Sequence, residues 1–307
     1  MLTFLPAPLL AIIALLFYVG FVVVSAIFGL LLFLLSLITP VPSWRKKLTQ
    51  HLFQIPSLWS ESIRWVMWLT TPTKWHVSGL EHLSKKHSYL LIANHQGFLD
   101  TLVLQKVLDG LIPQLRYFMK KQLLWLPLIG QICWLMGYPF IERHTKTYLK
   151  KHPKQRYKNL ETIRKTCERF RGKPITLINY VEGTRITREK HRQQQSPYKH
   201  LLRPKATGIA HVLEAMPEQI NTILNVTIVY SSAKRVSWTF LQGKMKHISV
   251  HVEAIKIPKD LRGHYQQDRA FRIHFQAWLN RLWKIKDELI DKEMLKNSHP
   301  DSGINSI

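Results

Sequence analysis

A histidine and an aspartate five residues apart are the side chains in this sequence best suited to catalysis. His95 and Asp100 lie in the segment Asn-His-Gln-Gly-Phe-Leu-Asp, which begins at Asn94 and follows an apolar run. A carboxylate that holds one imidazole nitrogen fixes the tautomer and stabilises the imidazolium, so the other nitrogen can accept a proton. The motif contains no serine or cysteine nucleophile, so the reacting hydroxyl is expected to come from the substrate. Taken alone, the pair also fits a metal-ligand pair or a structural turn.

A second polar motif, Glu182-Gly183-Thr184-Arg185, follows another apolar run, residues 175–181. The carboxyl ends of strands are where α/β folds bind ligands. Glycine lets the backbone approach a ligand closely, and the arginine side chain suits the bidentate binding of phosphate. The motif therefore indicates an anion site, although by itself it also fits a polar turn.

Two further segments carry isolated cations beside apolar residues. The first, Phe-Ile-Glu-Arg, is an apolar strand edge that ends on Arg143, and the second is a basic loop over 201–208 that contains Lys205. The loop leads into a predicted helix, so Lys205 is placed near a helix start. A solvated cationic loop is the alternative for this second segment.

The elements that must position these residues alternate between strands and helices along the chain. Such alternation indicates an α/β fold, a mixed sheet flanked by helices. The predicted strands are 75–79, 89–93, 116–119, 175–181, 222–230 and 248–257, and the predicted helices include 101–108, 205–216 and 271–289.

The first 44 residues contain no charged side chain, and residues 9–38 are almost wholly apolar. As a helix this run measures about 45 Å, longer than the roughly 30 Å hydrocarbon core of a bilayer. It could span with tilt, or break near Gly20 or Gly29 into a re-entrant hairpin. The length of the run and the lack of a basic start or a small-residue cleavage site disfavour a signal peptide. The basic residues at 45–47 predict that the body lies on the cytoplasmic side.

Two other segments bear on the membrane. Residues 51–69 have apolar residues at helical spacing with interleaved tryptophans, which fits an interfacial helix or an ordinary core helix. Residues 123–141 are free of charge, but prolines and glycines interrupt them. We expect this second segment to form a helix packed near the site, with a second span as the alternative.

The charge balance narrows the class of partner. The chain has 44 Lys and Arg against 19 Asp and Glu, a formal net charge of +25 over 307 residues. Such an excess indicates a polyanionic partner, either an anionic membrane surface or nucleic acid. The apolar leader favours the membrane. Two cysteines exclude a disulfide framework and fit a reducing compartment.

Together, in this order and spacing, the four motifs resemble the signature of the PlsC-like 1-acylglycerol-3-phosphate or lysophospholipid acyltransferases. The Leu-Leu-Arg-Pro-Lys loop at 201–205 and the strand Leu-Asn-Val-Thr-Ile at 224–228 are similar to the branch of the bacterial inner-membrane YihG-type enzymes. The resemblance covers the chain from Arg45 to about Leu289. Val181 stands where many members of the family have proline.

The resemblance implies transfer of a fatty acyl group from acyl-CoA or acyl carrier protein to the sn-2 hydroxyl of 1-acylglycerol 3-phosphate, giving phosphatidate. His95 would be the general base and Asp100 would orient it. No metal or cofactor is expected, because the thioester donor is already activated. The substrate-binding residues that it implies are Asn94, Arg143, Glu182, Gly183, Thr184, Arg185 and Lys205.

The expected organisation has four parts: a transmembrane anchor at 1–44, an interfacial helical region at 45–75, a catalytic domain at 76–295 and a polar tail at 296–307. The expected location is the cell inner membrane, with the catalytic domain on the cytoplasmic side. Three alternatives remain at this point: an acyltransferase acting on another lysophospholipid, a lipase or thioesterase that uses water, and a basic membrane protein that binds nucleic acid.

Overall fold

The fold is centred on a mixed sheet. A computed structural model describes residues 1–52, 54–127, 129–142, 148, 151–152, 155–232 and 235–298. In this part of the chain the main sheet has the strand order β1-β8-β7-β2-β6-β3, and β4 and β5 form a small second sheet. Neighbouring strands are parallel except for the β7–β8 pair. The strands are β1 Lys74–Ser78, β2 Ser88–Ala93, β3 Leu115–Tyr117, β4 Met119–Lys120, β5 Phe140–Ile141, β6 Thr176–Tyr180, β7 Ile220–Tyr230 and β8 His247–Lys256.

Helices cover both faces of the main sheet, which explains why residues 90–93 of its inner strand β2 are all apolar. Leu91 and Ala93 of β2 point into one core with α1, α3, α4 and α9, whereas Leu90 and Ile92 point into a second core with α6, α8 and α10. Successive side chains of a strand face opposite sides, so a strand buried on both faces needs apolar residues at every position. The helices are α1 Ala7–Ile38, α2 Pro42–Leu52, α3 Ile55–Thr70, α4 Leu99–Leu108, α5 Ile129–Leu135, α6 Gln155–Arg169, α7 Arg188–Gln193, α8 Thr207–Ala215, α9 Val236–Leu241 and α10 Arg269–Ser298.

The apolar leader forms one continuous helix, so the chain does not turn into a hairpin at Gly20 or Gly29. In the described part of the chain, α1 is the one helix long and apolar enough to cross a bilayer. Its inner stripe packs against the body, with Ala14 in the first core and Gly29 against Ile55 and Ile132. The side turned away from the body exposes large apolar residues such as Leu16, Val24, Leu31 and Ile38. The predicted anchor at 1–44 therefore lies along the body.

Helix α3, which covers most of the segment 51–69, has a core face and an exposed aromatic face. Ile63 and Met67 of α3 are buried in the first core, whereas Trp68 is 62% exposed. Trp65 lies edge-on to Phe17 of α1, with the ring centroids 5.6 Å apart. One face of α3 is thus a core face and the other adds aromatic rings to the apolar surface of α1.

The segment 123–141 does not form a single long helix. A 3-10 helix over Lys121–Trp125 precedes α5, and β5 follows it. Ile132 and Met136 pack against Ala26 of α1, while Trp125 is 79% exposed. The structure therefore agrees with a packed helix beside α1 and not with the alternative of a second span.

The predicted α/β class is confirmed, and the predicted strands lie within two residues of the observed ones. The last helix is longer than predicted, because α10 continues to Ser298 instead of ending at 289. Ile290 and Met294 keep the four-residue spacing and contact the second core, which extends the helix. The boundaries at 44, 75 and 295 stay predictions, and the tail beyond 298 lies outside the described residues.

Candidate active site

The histidine motif begins where β2 ends, and the side chain of Asn94 fastens it to β7. Asn94 Nδ2 donates to the carbonyl of Ile228 at 2.9 Å, and the N–H of Ile228 donates to Asn94 Oδ1 at 2.9 Å. Asn94 is 1% exposed. Both polar ends of the amide are therefore engaged by backbone, so Asn94 positions the histidine motif against β7, and its predicted contact with substrate stays a prediction.

His95 and Asp100 form the expected pair. His95 Nδ1 lies 2.8 Å from Asp100 Oδ2, and Asp100 is completely buried in the first turn of α4. Oδ2 also accepts the N–H groups of Gln96 and Gly97, at 2.6 and 2.9 Å. The partial positive charge at a helix N-terminus favours a carboxylate at this point. The carboxylate is thus fixed and can hold the imidazole in one orientation.

Tyr230, the last residue of β7, completes the surroundings of Asp100. Its hydroxyl donates to Asp100 Oδ1 at 2.7 Å. Burial, followed by the nearby charge of Asp100, raises the pKa of Tyr230 well above its ordinary value, so the hydroxyl keeps its proton and remains a donor. Nothing in the sequence motifs pointed to Tyr230, although a tyrosine that closes a buried strand is a usable signal.

A second aromatic residue fixes the plane of the histidine ring. Tyr180, the last residue of β6, stacks on His95 with the centroids 4.0 Å apart and the planes at 14°. Tyr117 at the end of β3 lies beyond it, at 6.4 Å from Tyr180. Burial raises the pKa of Tyr180 far above its ordinary value, so this ring stays neutral against the imidazole. No sequence motif predicts this stack, because its members come from the ends of three different strands.

The carboxylate of Glu182 faces the backbone. Oε1 accepts the N–H of His95 and Oε2 accepts the N–H of Leu202, both at 3.0 Å. The residue is 1% exposed. Burial raises the pKa of Glu182 to about 8, against the opposing effect of the two N–H donors. Glu182 therefore joins the histidine motif to the basic loop, and its predicted contact with substrate stays a prediction.

The turn after Glu182 gathers cations beside the histidine motif. Gly183 has φ +71°, in the left-handed region that favours glycine, and a Cβ there would lie 3.1 Å from Lys205 Nζ. Thr184 Oγ1 accepts from Lys190 Nζ at 2.6 Å. Lys190, on α7, belonged to none of the predicted motifs. The turn thus brings together Gly183, Thr184 and Lys205, as predicted, and adds Lys190.

Arg185 extends from the same turn and is exposed. The N–H of the next residue, Ile186, donates to the carbonyl of His95 at 2.9 Å, which holds the turn against the histidine motif. Burial raises the pKa of Tyr180, the ring that stacks on His95, and the positive charge of Arg185 partly opposes that rise. An anion bound by Arg185 would therefore lie near the imidazole. The predicted contact of Arg143 lies outside the described residues.

This arrangement can remove a proton from a hydroxyl group. Asp100 engages His95 Nδ1, and in the described part of the chain no side chain hydrogen-bonds to Nε2. A base of this kind acts when a substrate proton comes within hydrogen-bond distance of the second nitrogen. The nearby cations suit a substrate that carries a phosphate group.

Comparison with known proteins agrees with this chemistry. The sequence pattern of the Acyltransferase family matches residues 74–245, more than half of the chain. A 2-acyl-1-lysophosphatidylinositol acyltransferase of Saccharomyces cerevisiae is 28% identical over 137 residues, which are 39% of this chain and 33% of that protein. The 1-acyl-sn-glycerol-3-phosphate acyltransferase epsilon of Mus musculus is 23% identical over 227 residues, which are 67% of this chain and 58% of that protein. The chain thus spans between a third and three-fifths of the length of these two relatives.

A solved structure shares the fold. The crystal structure of the 1-acyl-sn-glycerophosphate acyltransferase PlsC from Thermotoga maritima matches with a TM-score of 0.53 and 12% sequence identity. The match covers 93% of this chain and 97% of that one. At this level of identity the likeness concerns the architecture alone.

Proposed function

Because this chain belongs to the Acyltransferase family, in agreement with the predicted PlsC-like resemblance, we propose that it is an O-acyltransferase that acts on a lysophospholipid. The proposed acceptor is 1-acylglycerol 3-phosphate, and the product is phosphatidate for phospholipid biosynthesis. The donor is the thioester of acyl-CoA or acyl carrier protein, which needs no metal or cofactor. The assignment to the YihG-type branch stays a prediction.

The observation that carries the proposal is the His95–Asp100 pair with Nε2 left for the substrate. His95 takes the proton of the sn-2 hydroxyl as the oxygen attacks the thioester carbon. The carbon–sulfur bond then breaks, and the thiol leaves with a proton returned from the imidazolium. Positioned bases of this kind contribute typically about 10²–10⁴-fold to rate.

The acceptor phosphate is assigned to the cations of the turn, with Arg185 as the main contact and Lys205 and Lys190 beside it. Arg185→Lys keeps the charge but loses the bidentate geometry of the guanidinium. We expect a higher KM for lysophosphatidate and little change in the KM for the acyl donor. Arg281→Lys, on an exposed position of α10, is the matched control. An equal rise in both KM values would contradict the assignment.

Membrane attachment is assigned to the outward face of α1. Ala14 and Tyr18 in the first half of α1 and Ala26 in the second half pack against the body, which argues against a helix that leaves the body to cross the bilayer. We therefore place this face, with the exposed tryptophans of α3, in one leaflet of the inner membrane, with the site on the cytoplasmic side. A cationic groove of about 530 Å³ beside the C-terminal end of α1 would face anionic headgroups. It is lined by Arg45, Lys46 and Lys173, together with Pro40, Pro42, Thr49 and Gln50.

Vesicle flotation tests the attachment. Arg45→Gln/Lys46→Gln/Lys173→Gln should weaken binding to vesicles that contain anionic phospholipid and leave binding to neutral vesicles unchanged. The matched control replaces Lys244, Lys246 and Lys256, on and beside β8, with glutamine. Equal binding of wild type and groove variant to anionic vesicles would contradict the role of the groove.

One alternative acceptor has a specific observation behind it. The yeast relative is named for action on a lysophosphatidylinositol, whose phosphate carries an inositol ring. A product assay of the purified full-length protein with labelled acyl donors and a panel of lysophospholipids separates the two acceptors. An arm without acceptor measures thioester hydrolysis. The proposal predicts phosphatidate as the main product, and its absence with hydrolysis alone would contradict acyl transfer.

A further inference from the structure

A lysine is buried behind the site and has no part in the mechanism given above. Lys286 of α10 is 1% exposed. Its Nζ donates to the carbonyl of Val226 at 2.6 Å and to Thr227 Oγ1 at 3.0 Å, and it lies 5.1 Å from the ring centroid of Trp283. A buried ammonium is costly unless it is paired and hydrogen-bonded, so its retention needs a reason.

The two bonds of Lys286 lie on the part of β7 that holds the histidine motif. Val226 pairs with Ala93, the last residue of β2 before the motif. Ile228, two residues further, is held by Asn94, and Tyr230 binds Asp100. The carboxyl end of β7 is therefore a template for the catalytic pair. On the side of the first core, Tyr230 of β7 binds Asp100 of this pair. On the side of the second core, Lys286 binds Val226 and Thr227 of β7.

Lys286 is also the nearby positive charge for Glu182. Burial lowers the pKa of Lys286 to about 7, whereas Glu182 and Glu253 oppose that shift. Lys286 in turn favours the ionised form of Glu182, which Asp100 disfavours. Among the described charged groups, those that act on Lys286 are Glu182 after β6 and Glu253 on β8. An ionised Glu182 is the stronger acceptor for the N–H of His95.

We propose that Lys286 is a positioning residue of the acyl-transfer site, acting from the far face of the sheet. It fixes Val226 and Thr227 of β7, and its positive charge favours the ionised form of Glu182, which accepts the N–H of His95. The assignment rests on the proposed function and adds a residue of α10 to the residues on which the reaction depends.

The test compares Lys286→Met, which removes the donor and the charge, with Lys284→Met on the exposed side of the same helix. Because a misplacement of about 1 Å can cost about 10²-fold, we expect kcat of Lys286→Met to fall about tenfold or more with KM unchanged. Because Lys286 favours the ionised form of Glu182, the pH dependence of kcat should move to higher pH in Lys286→Met and stay at the wild-type position in Lys284→Met. In Glu182→Gln, the further change Lys286→Met should cost much less than in the wild type.

Hydrogen exchange separates this inference from the acyl-transfer proposal, because it needs no substrate. Lys286→Met should speed exchange of the amides at 94–98 and leave those of β6 and α4 unchanged, and Lys284→Met should change neither. An inactive wild type would contradict the proposed function alone. A wild-type kcat and pH profile in Lys286→Met, with unchanged exchange at 94–98, would overturn the inference. Faster exchange across the whole sheet would assign Lys286 to stability alone and overturn it too.

Discussion

At the scale of single residues, each member of the proposed catalytic pair is held by more than one neighbour. The carboxylate of Asp100 is bound by an imidazole, two backbone amides and a phenol. The ring of His95 is held at Nδ1 and along one face, by Asp100 and by Tyr180. A base fixed in this way does not need to reorganise when the substrate arrives, which is the condition under which positioned groups are effective.

The stack on His95 gives a direct prediction. Tyr180→Leu removes the aromatic face, whereas Tyr180→Phe keeps it and loses only the hydroxyl. Aromatic pairs are worth about 0.5–1.5 kcal/mol beyond their buried area, so Tyr180→Leu should lower kcat up to about tenfold. Steady-state kinetics of the two variants check this, with Tyr180→Phe expected near the wild type. Equal losses in both variants would show that the hydroxyl matters and the ring does not.

The buried pair Glu182 and Lys286 predicts how stability depends on pH. Folding raises the pKa of Glu182 from 4.5 to about 8, so the native state holds an extra proton and stability falls as the pH rises between these values. Folding lowers the pKa of Lys286 from 10.5 to about 7, so stability rises again between pH 7 and 10.5. One proton corresponds to at most about 1.4 kcal/mol per pH unit.

Denaturant unfolding of the protein and two variants, from pH 5 to pH 10, measures both effects. The free energy of unfolding should pass through a minimum near neutral pH. Glu182→Gln should reduce the fall of this free energy below neutral pH, and Lys286→Met should reduce its rise above neutral pH. If both variants kept the wild-type dependence of the free energy of unfolding on pH, other groups would set that dependence.

At the scale of elements, the carboxyl ends of β2, β6 and β7 converge on one edge of the sheet. Each strand contributes its last residue or the turn that follows it: the histidine motif, Tyr180 with Glu182, and Tyr230. This is the edge at which α/β folds place ligands. Helix α1 departs from the sequence prediction of a separate anchor, because it packs against the body. The absence of a side chain at Gly29 lets the helix approach Ile55 and Ile132 closely.

The contact at Gly29 gives a matched pair of variants on α1. A Cβ at Gly29 would lie 2.8 Å from Ile55 Cδ1, whereas a Cβ at Gly20 would meet nothing within 4 Å. Overpacking typically costs about 1–3 kcal/mol, so Gly29→Leu should lower the midpoint of thermal unfolding and Gly20→Leu should not. Thermal unfolding in detergent measures both. Equal midpoints would mean that α1 is detached from the body in solution.

At the scale of the whole molecule, α1 is part of the fold. Ala14 and Tyr18 belong to the same core as Ile63 and Met67 of α3. Removal of residues 1–41 would uncover these side chains, so we expect a destabilised and aggregating protein even in detergent. Circular dichroism and size-exclusion chromatography check this. A monomeric, folded protein with the wild-type kcat would show that the leader is a separable anchor, as the sequence alone suggested.

The strands, the fold class and the contact between His95 and Asp100 were predictable, because each depends on a local sequence pattern. The buried run 175–181 and the alternation of elements need no tertiary knowledge. The packing of α1 was not predictable, since lipid and protein core both select apolar residues. The role of Glu182 was hidden for a related reason: a carboxylate after a strand suits a ligand or a backbone amide equally. No sequence pattern pointed to a role for Lys286, because its hydrogen-bond partners lie about 60 residues away on β7.

The most direct test of the central claim is the rate of acyl transfer to lysophosphatidate in His95→Ala. If His95 is the base, the variant should lose the roughly 10²–10⁴-fold contribution of a positioned base while keeping its fold and its binding to vesicles. His82→Ala, at an exposed position between β1 and β2, is the matched control and should keep the wild-type rate. Near-normal transfer by a folded His95→Ala would contradict the mechanism and leave the His95–Asp100 pair a structural turn.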